Sequence, residues 1–285
     1  MTLYYISQTN DQKEPRTTLI LKLNALRYPP QFAFNQSRDS LKVKNSLFEM
    51  FFFFDDNGNN EEYLMTAYFG FVPTAALQTH IENAVNRAKQ THGEPMYILR
   101  DAVSLGITDE LIETLLIQLV HMLPPSDKRD TMEKLSNFIK STVHVLMKQL
   151  LGKDTDENVL KSTEFLALST HTVNGQLRVG AVIPQDLLTQ MKASFAMVAA
   201  GEGKAARPAL TTQFKAFNDV IIKHYMDDFT KTLNLGMIKR KASSLAQSGI
   251  TKAVHVAIDK LIPSLNQTEL EAFTQHYDTL IYNAD

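Results

Sequence analysis

One local pattern occurs twice in this chain and constrains the fold more than any other feature. Phe71-Val72-Pro73-Thr74-Ala75-Ala76-Leu77 reads as a strand end, a proline and a helix start, and Val182-Ile183-Pro184-Gln185-Asp186-Leu187-Leu188 reads the same way. Each follows an Asn-Gly turn signal, Asn57-Gly58 and Asn174-Gly175. A proline in the first turn costs the helix nothing, because that N–H has no intrahelical partner. Two further resemblances follow in the same order. Ala102-Val103-Ser104-Leu105-Gly106-Ile107-Thr108 resembles Ala242-Ser243-Ser244-Leu245 with Gly249-Ile250-Thr251 after a short insertion, and Leu123-Pro124-Pro125-Ser126 resembles Leu261-Ile262-Pro263-Ser264.

Matched segments in matched order predict an internal duplication. The expected fold class is α+β, with two related halves. Each half is a β-hairpin followed by a Pro-initiated helix and a C-terminal helical pair, packed about a pseudo-twofold axis as two subunits of a homodimer would be. Residues 1–40 would add N-terminal strands and a loop to the sheet. Residues 41–150 would form the first repeat and 161–285 the second, with 205–235 as an extra long helix of the second.

Local patterns fill in this frame. Strands are expected at 17–23, 46–54, 63–72, 163–170 and 177–183, from β-branched and aromatic runs bounded by turn residues. Phe51 to Phe54 must point to both faces of a sheet, so that strand is either covered on both sides or a sticky edge. Helices are expected at 74–90, 108–123, 127–150, 208–234, 251–261 and 267–283, and one opens after Pro184. The last carries a capping box at Thr268-Glu269-Leu270-Glu271.

Composition narrows the function classes. Apolar content of 44% and charge of 21% over 285 residues suit a globular chain. A net charge of −2 lacks the basic excess of a dedicated nucleic-acid binder. The absence of cysteine excludes disulfides, thiolate nucleophiles and cysteine metal sites. The opening residues have no basic start followed by a long apolar run, and no apolar stretch is long enough to span a bilayer. A soluble, cytoplasmic chain with no membrane association is expected.

Candidate chemistry is sparse. Asp55-x-Asn57-x-Asn59 starts like a calcium loop but has Asn60 and Thr66 where glycine and glutamate are needed. Gly201-Glu202-Gly203-Lys204 lacks the other residues of a phosphate loop. His224 and Asp228, with Asp227 beside them, have helical ligand spacing for a metal, and a solvated helix face is the plainer reading. Lys239-Arg240-Lys241, together with Lys223, Lys231 and Lys252, can form a basic patch or complement a helix end. Phe214, Phe217, Ile221, Tyr225 and Phe229 form an apolar stripe suited to core packing or to an interface.

No catalytic constellation is legible and no cofactor is implied. The leading expectation is therefore a non-enzymatic interaction, adaptor or assembly factor whose partner is another protein or a second copy of itself. The alternatives are a small-molecule enzyme or ligand-binding protein with its site between the halves, and nucleic-acid binding through the local basic patch.

Overall fold

Strand β1 (Thr66–Phe71) shows how one face of the sheet becomes core. Ala67, Phe69 and Phe71 alternate inward and are buried, while Tyr68 points to the opposite face. The structure, a computed structural model, describes residues 66–90 and 92–284, all within one unit spanning 62–285. After β1 come α1 (Ala75–Ala88) and α2 (residues 96–122), then α3 (Asp127–Leu150), α4 (Asp156–Leu168) and β2 (Thr170–Val173). The chain continues through β3 (Gln176–Val182), α5 (Gln185–Ala199), α6 (residues 203–232), α7 (Met237–Ser264), α8 (Gln267–Asp278) and β4 (Ile281–Ala284). The class is α+β: mostly helix, with one four-stranded antiparallel sheet ordered β2-β3-β1-β4. No described helix is long and apolar enough to cross a membrane.

The sheet centres on two facing glycines. β1 pairs with β3 so that Gly70 lies opposite Gly180 and Phe69 opposite Ala181. A Cβ on Gly180 would run into the Phe69 carbonyl oxygen, which is backbone and cannot yield like a side chain. Gly180→Ala is therefore expected to cost about 1–3 kcal/mol, read as a lower urea midpoint at unchanged slope. The β2–β3 hairpin turns through Asn174 and Gly175, both at positive φ, the conformation that favours Asn-Gly.

The order β1-α1-α2-α3-α4-β2 recurs as β3-α5-α6-α7-α8-β4. The N-caps Thr74 and Pro184, the N-caps Ser126 and Gly236, and the facing Gly70 and Gly180 are all separated by the same number of residues. Gly70 N donates to Leu280 O just ahead of β4, and Gly180 N donates to Ser169 O just ahead of β2, both at 2.8 Å. α2 and α6, second helices of their series, each carry a π turn, Glu113–Ile117 in α2 and Lys223–Asp228 in α6. The long helix expected as an extra of the second half thus has α2 at the same place in the first series. The recurring series span 66–173 and 176–284. The resemblance of 102–108 to 242–251 joins α2 to α7, which stand at different places in the two series. That of 123–126 to 261–264 likewise joins a loop to the end of a helix.

Several local expectations are corrected. The segment expected as a strand at 163–170 is helix as far as Leu168, and only Thr170 belongs to a strand, as the first residue of β2. Thr155 caps a helix by accepting from Asn158 N, Asp156 and Glu157 favour its first turn, and Val159, Ser162, Thr163 and Leu166 are buried at helical spacing. The helix expected at 251–261 runs from Met237 to Ser264. The one expected at 267–283 stops at Asp278 and gives way to β4. Its capping box is Asn266 with Glu269: Asn266 Oδ1 accepts from Glu269 N at 2.9 Å, and Glu269 Oε2 accepts from Asn266 N at 2.7 Å. Pro208 lies inside α6, which starts at Gly203. The expected strands at 17–23 and 46–54, the Phe51–Phe54 run and the turn at Asp55–Asn60 lie outside the described residues.

The core links sheet and helices through aromatics. Phe217 on α6 meets Phe69 of β1 edge-on at 5.4 Å between ring centroids and Tyr277 of α8 at 6.0 Å. α8 also serves the π turn of α2: His276 Nε2 lies 2.8 Å from Thr114 O, and the Tyr277 hydroxyl donates to Leu115 O at 2.7 Å. A π turn breaks the regular helical ladder, and these two buried side chains satisfy two of its carbonyls.

Candidate functional site

His224, Asp227 and Asp228 fall in the π turn of α6. The His224 ring packs on Phe165 of α4, and its Nε2 lies 2.9 Å from Ser169 Oγ. Ser169 uses its own proton on Phe165 O, so its oxygen accepts and His224 is the Nε2–H tautomer. Burial is the main cause that pushes the His224 pKa down to about 4, and the ring is neutral near pH 7. The carboxylates engage lysines instead: Asp227 Oδ2 lies 2.7 Å from Lys231 Nζ, and Asp228 lies 2.6 Å from Lys223 and 3.0 Å from Lys231. Burial opposes the charge on Asp228, but hydrogen bonds from the two lysines outweigh it and hold its pKa below the usual carboxylate range. Among the described residues no three His, Asp or Glu side chains are placed to hold a metal ion.

The aromatic stripe of α6 lies inside the chain. Phe214, Phe217, Ile221 and Phe229 are buried, and Tyr225 is half-buried. Packing within the fold accounts for the first four.

The basic run is placed differently from a run that complements a helix dipole. Lys239, Arg240 and Lys241 lie in the first turns of α7, at the end of the helix that already carries partial positive charge. The N-cap Gly236 has no side chain to cap it, and no acidic residue stands in the first turn. Helix α3, at the same place in the first series, is capped by Ser126 and has Asp127 and Asp130 in its first turn. Beside the basic run, Met237 is 86% and Ile238 87% exposed. Ile238, Lys241, Leu245, Lys252 and Val256 are all exposed and follow one outer stripe of α7 at helical spacing. The side chains of Lys239, Arg240, Lys241 and Lys252 make no hydrogen bond or ion pair with any described residue. Lys223 and Lys231, by contrast, are taken up by the two aspartates.

A second cluster was not legible in the sequence because its members come from all four strands. Over the two facing glycines, His171 of β2 and Tyr282 of β4 reach across the outer face of the sheet and meet at 2.5 Å between Nε2 and the hydroxyl. Tyr68 packs on the His171 ring at 4.6 Å. The Arg178 guanidinium lies 4.9 Å from the Tyr282 ring centre and donates to Gly70 O at 3.0 Å. Burial, ahead of other causes, pushes the Tyr282 pKa up to about 12 and moves that of His171 down. At neutral pH the pair is therefore an uncharged hydrogen bond, with neither a tyrosinate nucleophile nor an imidazolium acid. It closes the middle of the sheet where glycine leaves room.

No protein-family model matches this chain, and neither the curated proteins nor the solved structures contain a match.

Proposed function

We propose that this protein is a non-enzymatic interaction or assembly factor of the cytoplasm, and that the outer face of α7 is the surface through which it holds another protein. The observation that carries this reading is the conjunction at residues 237–245. Met237 and Ile238 are almost fully exposed and Leu245 largely so, beside three cations whose side chains no described residue neutralises. Exposed apolar groups ringed by charge mark contact sites, and the arrangement suits a partner with an apolar pocket and an acidic rim. A nucleic-acid reading fits less well, since Met237, Ile238 and Leu245 flank the cations with exposed apolar surface and offer no aromatic ring for base stacking. The two recurring series of elements support a further part of the reading. They are related halves, and a pseudo-twofold axis passes between Gly70 and Gly180.

The test compares wild type with two double variants, Met237→Ser with Ile238→Ser and Lys239→Glu with Lys241→Glu. Tagged protein is used to recover partners from native-source lysate at moderate salt. All four positions are exposed, so the serine variant should keep its stability within about 0.5 kcal/mol, and the glutamate variant should be as stable as wild type or more so, because it places negative charge at the positive end of α7. A stoichiometric partner held by wild type and reduced tenfold or more in both variants is the expected result. A partner retained equally by both variants would remove α7 from the account.

A further inference from the structure

A polar cavity of about 220 Å³ lies between the end of α6 and the start of α7, with Asp227 and Lys231 of the first and Arg240, Ser243, Ser244 and Gln247 of the second in its wall. The four α7 residues recur at intervals of three and four, so they share one side of that helix. It is a different side from the exposed stripe of Ile238, Lys241 and Leu245.

The α6 side of the wall is spent internally. Lys231 Nζ donates to Asp227 Oδ2 at 2.7 Å and to Asp228 Oδ1 at 3.0 Å. The α7 side is not. The side chains of Arg240, Ser243, Ser244 and Gln247 make no hydrogen bond with any described residue. Ser243 adds a signal of its own. It is only 4% exposed, and its unpaired hydroxyl is nevertheless not shut off from solvent, so it opens into the cavity it lines. A buried hydroxyl left unpaired is costly, and a ligand oxygen in the cavity would satisfy it.

We propose that this cavity binds a phosphate group, with Arg240 as its charge partner and Ser243, Ser244 and Gln247 as further hydrogen-bond donors. A guanidinium presents a fork of N–H groups that matches an oxyanion. Arg240 also stands in the first turns of α7, at the helix end that favours negative charge, and no acidic residue occupies the first turn. A carboxylate has two oxygens, which one guanidinium fork satisfies alone. Four uncommitted donor groups suit the three free oxygens of a phosphate monoester. Asp227 is the one carboxylate in the wall, and Lys231 offsets it, so the charge left unmatched is that of Arg240. The phosphate is either free in solution or carried on a side chain of a bound protein, and the chemistry that recognises it is the same.

The experiment titrates the purified chain with inorganic phosphate and with N-acetyl-O-phosphoserine amide at constant ionic strength, by calorimetry and by the rise in melting temperature. Saturable one-to-one binding is expected. Arg240→Ala should weaken it about tenfold or more, and Arg240→Lys by less, because the charge stays and the fork is lost. Ser243→Ala should weaken it about threefold to tenfold. With phosphate absent, that variant should melt no lower than wild type, since it loses only an unpaired hydroxyl. Inorganic phosphate binding as tightly as the amide, or more so, assigns the site to free phosphate; tighter binding of the amide assigns it to a phosphorylated side chain. Failure of both ligands to bind wild type saturably overturns the proposal, and so does binding that Arg240→Ala and Ser243→Ala leave unchanged. No partner enters this titration, and Met237→Ser with Ile238→Ser should bind phosphate as wild type does, so the site and the docking face fail separately.

Discussion

Phe217→Ala is expected to destabilise the protein by about 3–5 kcal/mol, enough to take much of the stability of an ordinary domain. Phe217 is fully buried and stands where three elements meet. Its ring touches Phe69 on the sheet, Phe214 on its own helix at 6.1 Å and Tyr277 on α8. Truncation leaves a cavity whose walls belong to different elements and cannot all collapse inward. Phe217→Leu should recover part of the loss, because it returns most of the apolar volume without the edge-to-face ring contacts. Urea unfolding of both variants measures this. A cost for the alanine variant below about 1 kcal/mol would mean that the sheet and helices do not meet through this ring.

Acid is expected to destabilise the protein through His224 by about 3 kcal/mol in full. The unfolded histidine takes up a proton as pH falls through its ordinary value of 6.5, whereas the folded one resists until about pH 4. Below pH 6.5 the unfolded state therefore binds more protons, so stability falls as pH falls, and the loss is complete below about 4. Burial moves the pKa values of His171 and His276 down too, so both act in the same direction. Stability measured at pH 7 and pH 4.5 should differ less in His224→Phe than in wild type. The variant loses the Ser169 hydrogen bond at both pH values but has no imidazole to charge. Equal differences in the two proteins would show that His224 does not carry the effect.

Residues whose structure is set by near neighbours were readable from the chain. The Asn174-Gly175 turn, the strand before Pro184, the helix after it and the limits of α3 all follow from local conformational preference and hydrophobic period. The reading failed where two local patterns compete. Residues 163–170 are apolar enough for a strand, but the cap at Thr155 lies upstream of the segment and decides for helix. The start of α7 was missed for the opposite reason. Met237 and Ile238 have no buried stripe of their own, so the helical period becomes visible only further along, from Ile250 through Val254 and Ile258.

The candidate sites divide along the same line. The basic run and the His224, Asp227 and Asp228 spacing were visible because their members are adjacent in sequence. Their meaning was not. Whether a lysine run aids or opposes a helix dipole depends on which end it occupies, and whether an aspartate can hold a metal depends on whether lysines have already taken it. The His171–Tyr282 pair left no sequence signal, because its residues come from distant segments and share no period.

By itself, the sequence determined the α+β class, a strand–proline–helix unit occurring twice, and the absence of any cysteine chemistry. These are properties of composition and of contacts within a few residues. Only the tertiary structure decided that Gly70 faces Gly180, that α6 is core and α7 presents an outer face, and that the Tyr225 hydroxyl is buried without a partner among the described residues. Strand register, burial and hydrogen-bond satisfaction depend on which distant segments meet, and that follows from the packing of the whole chain.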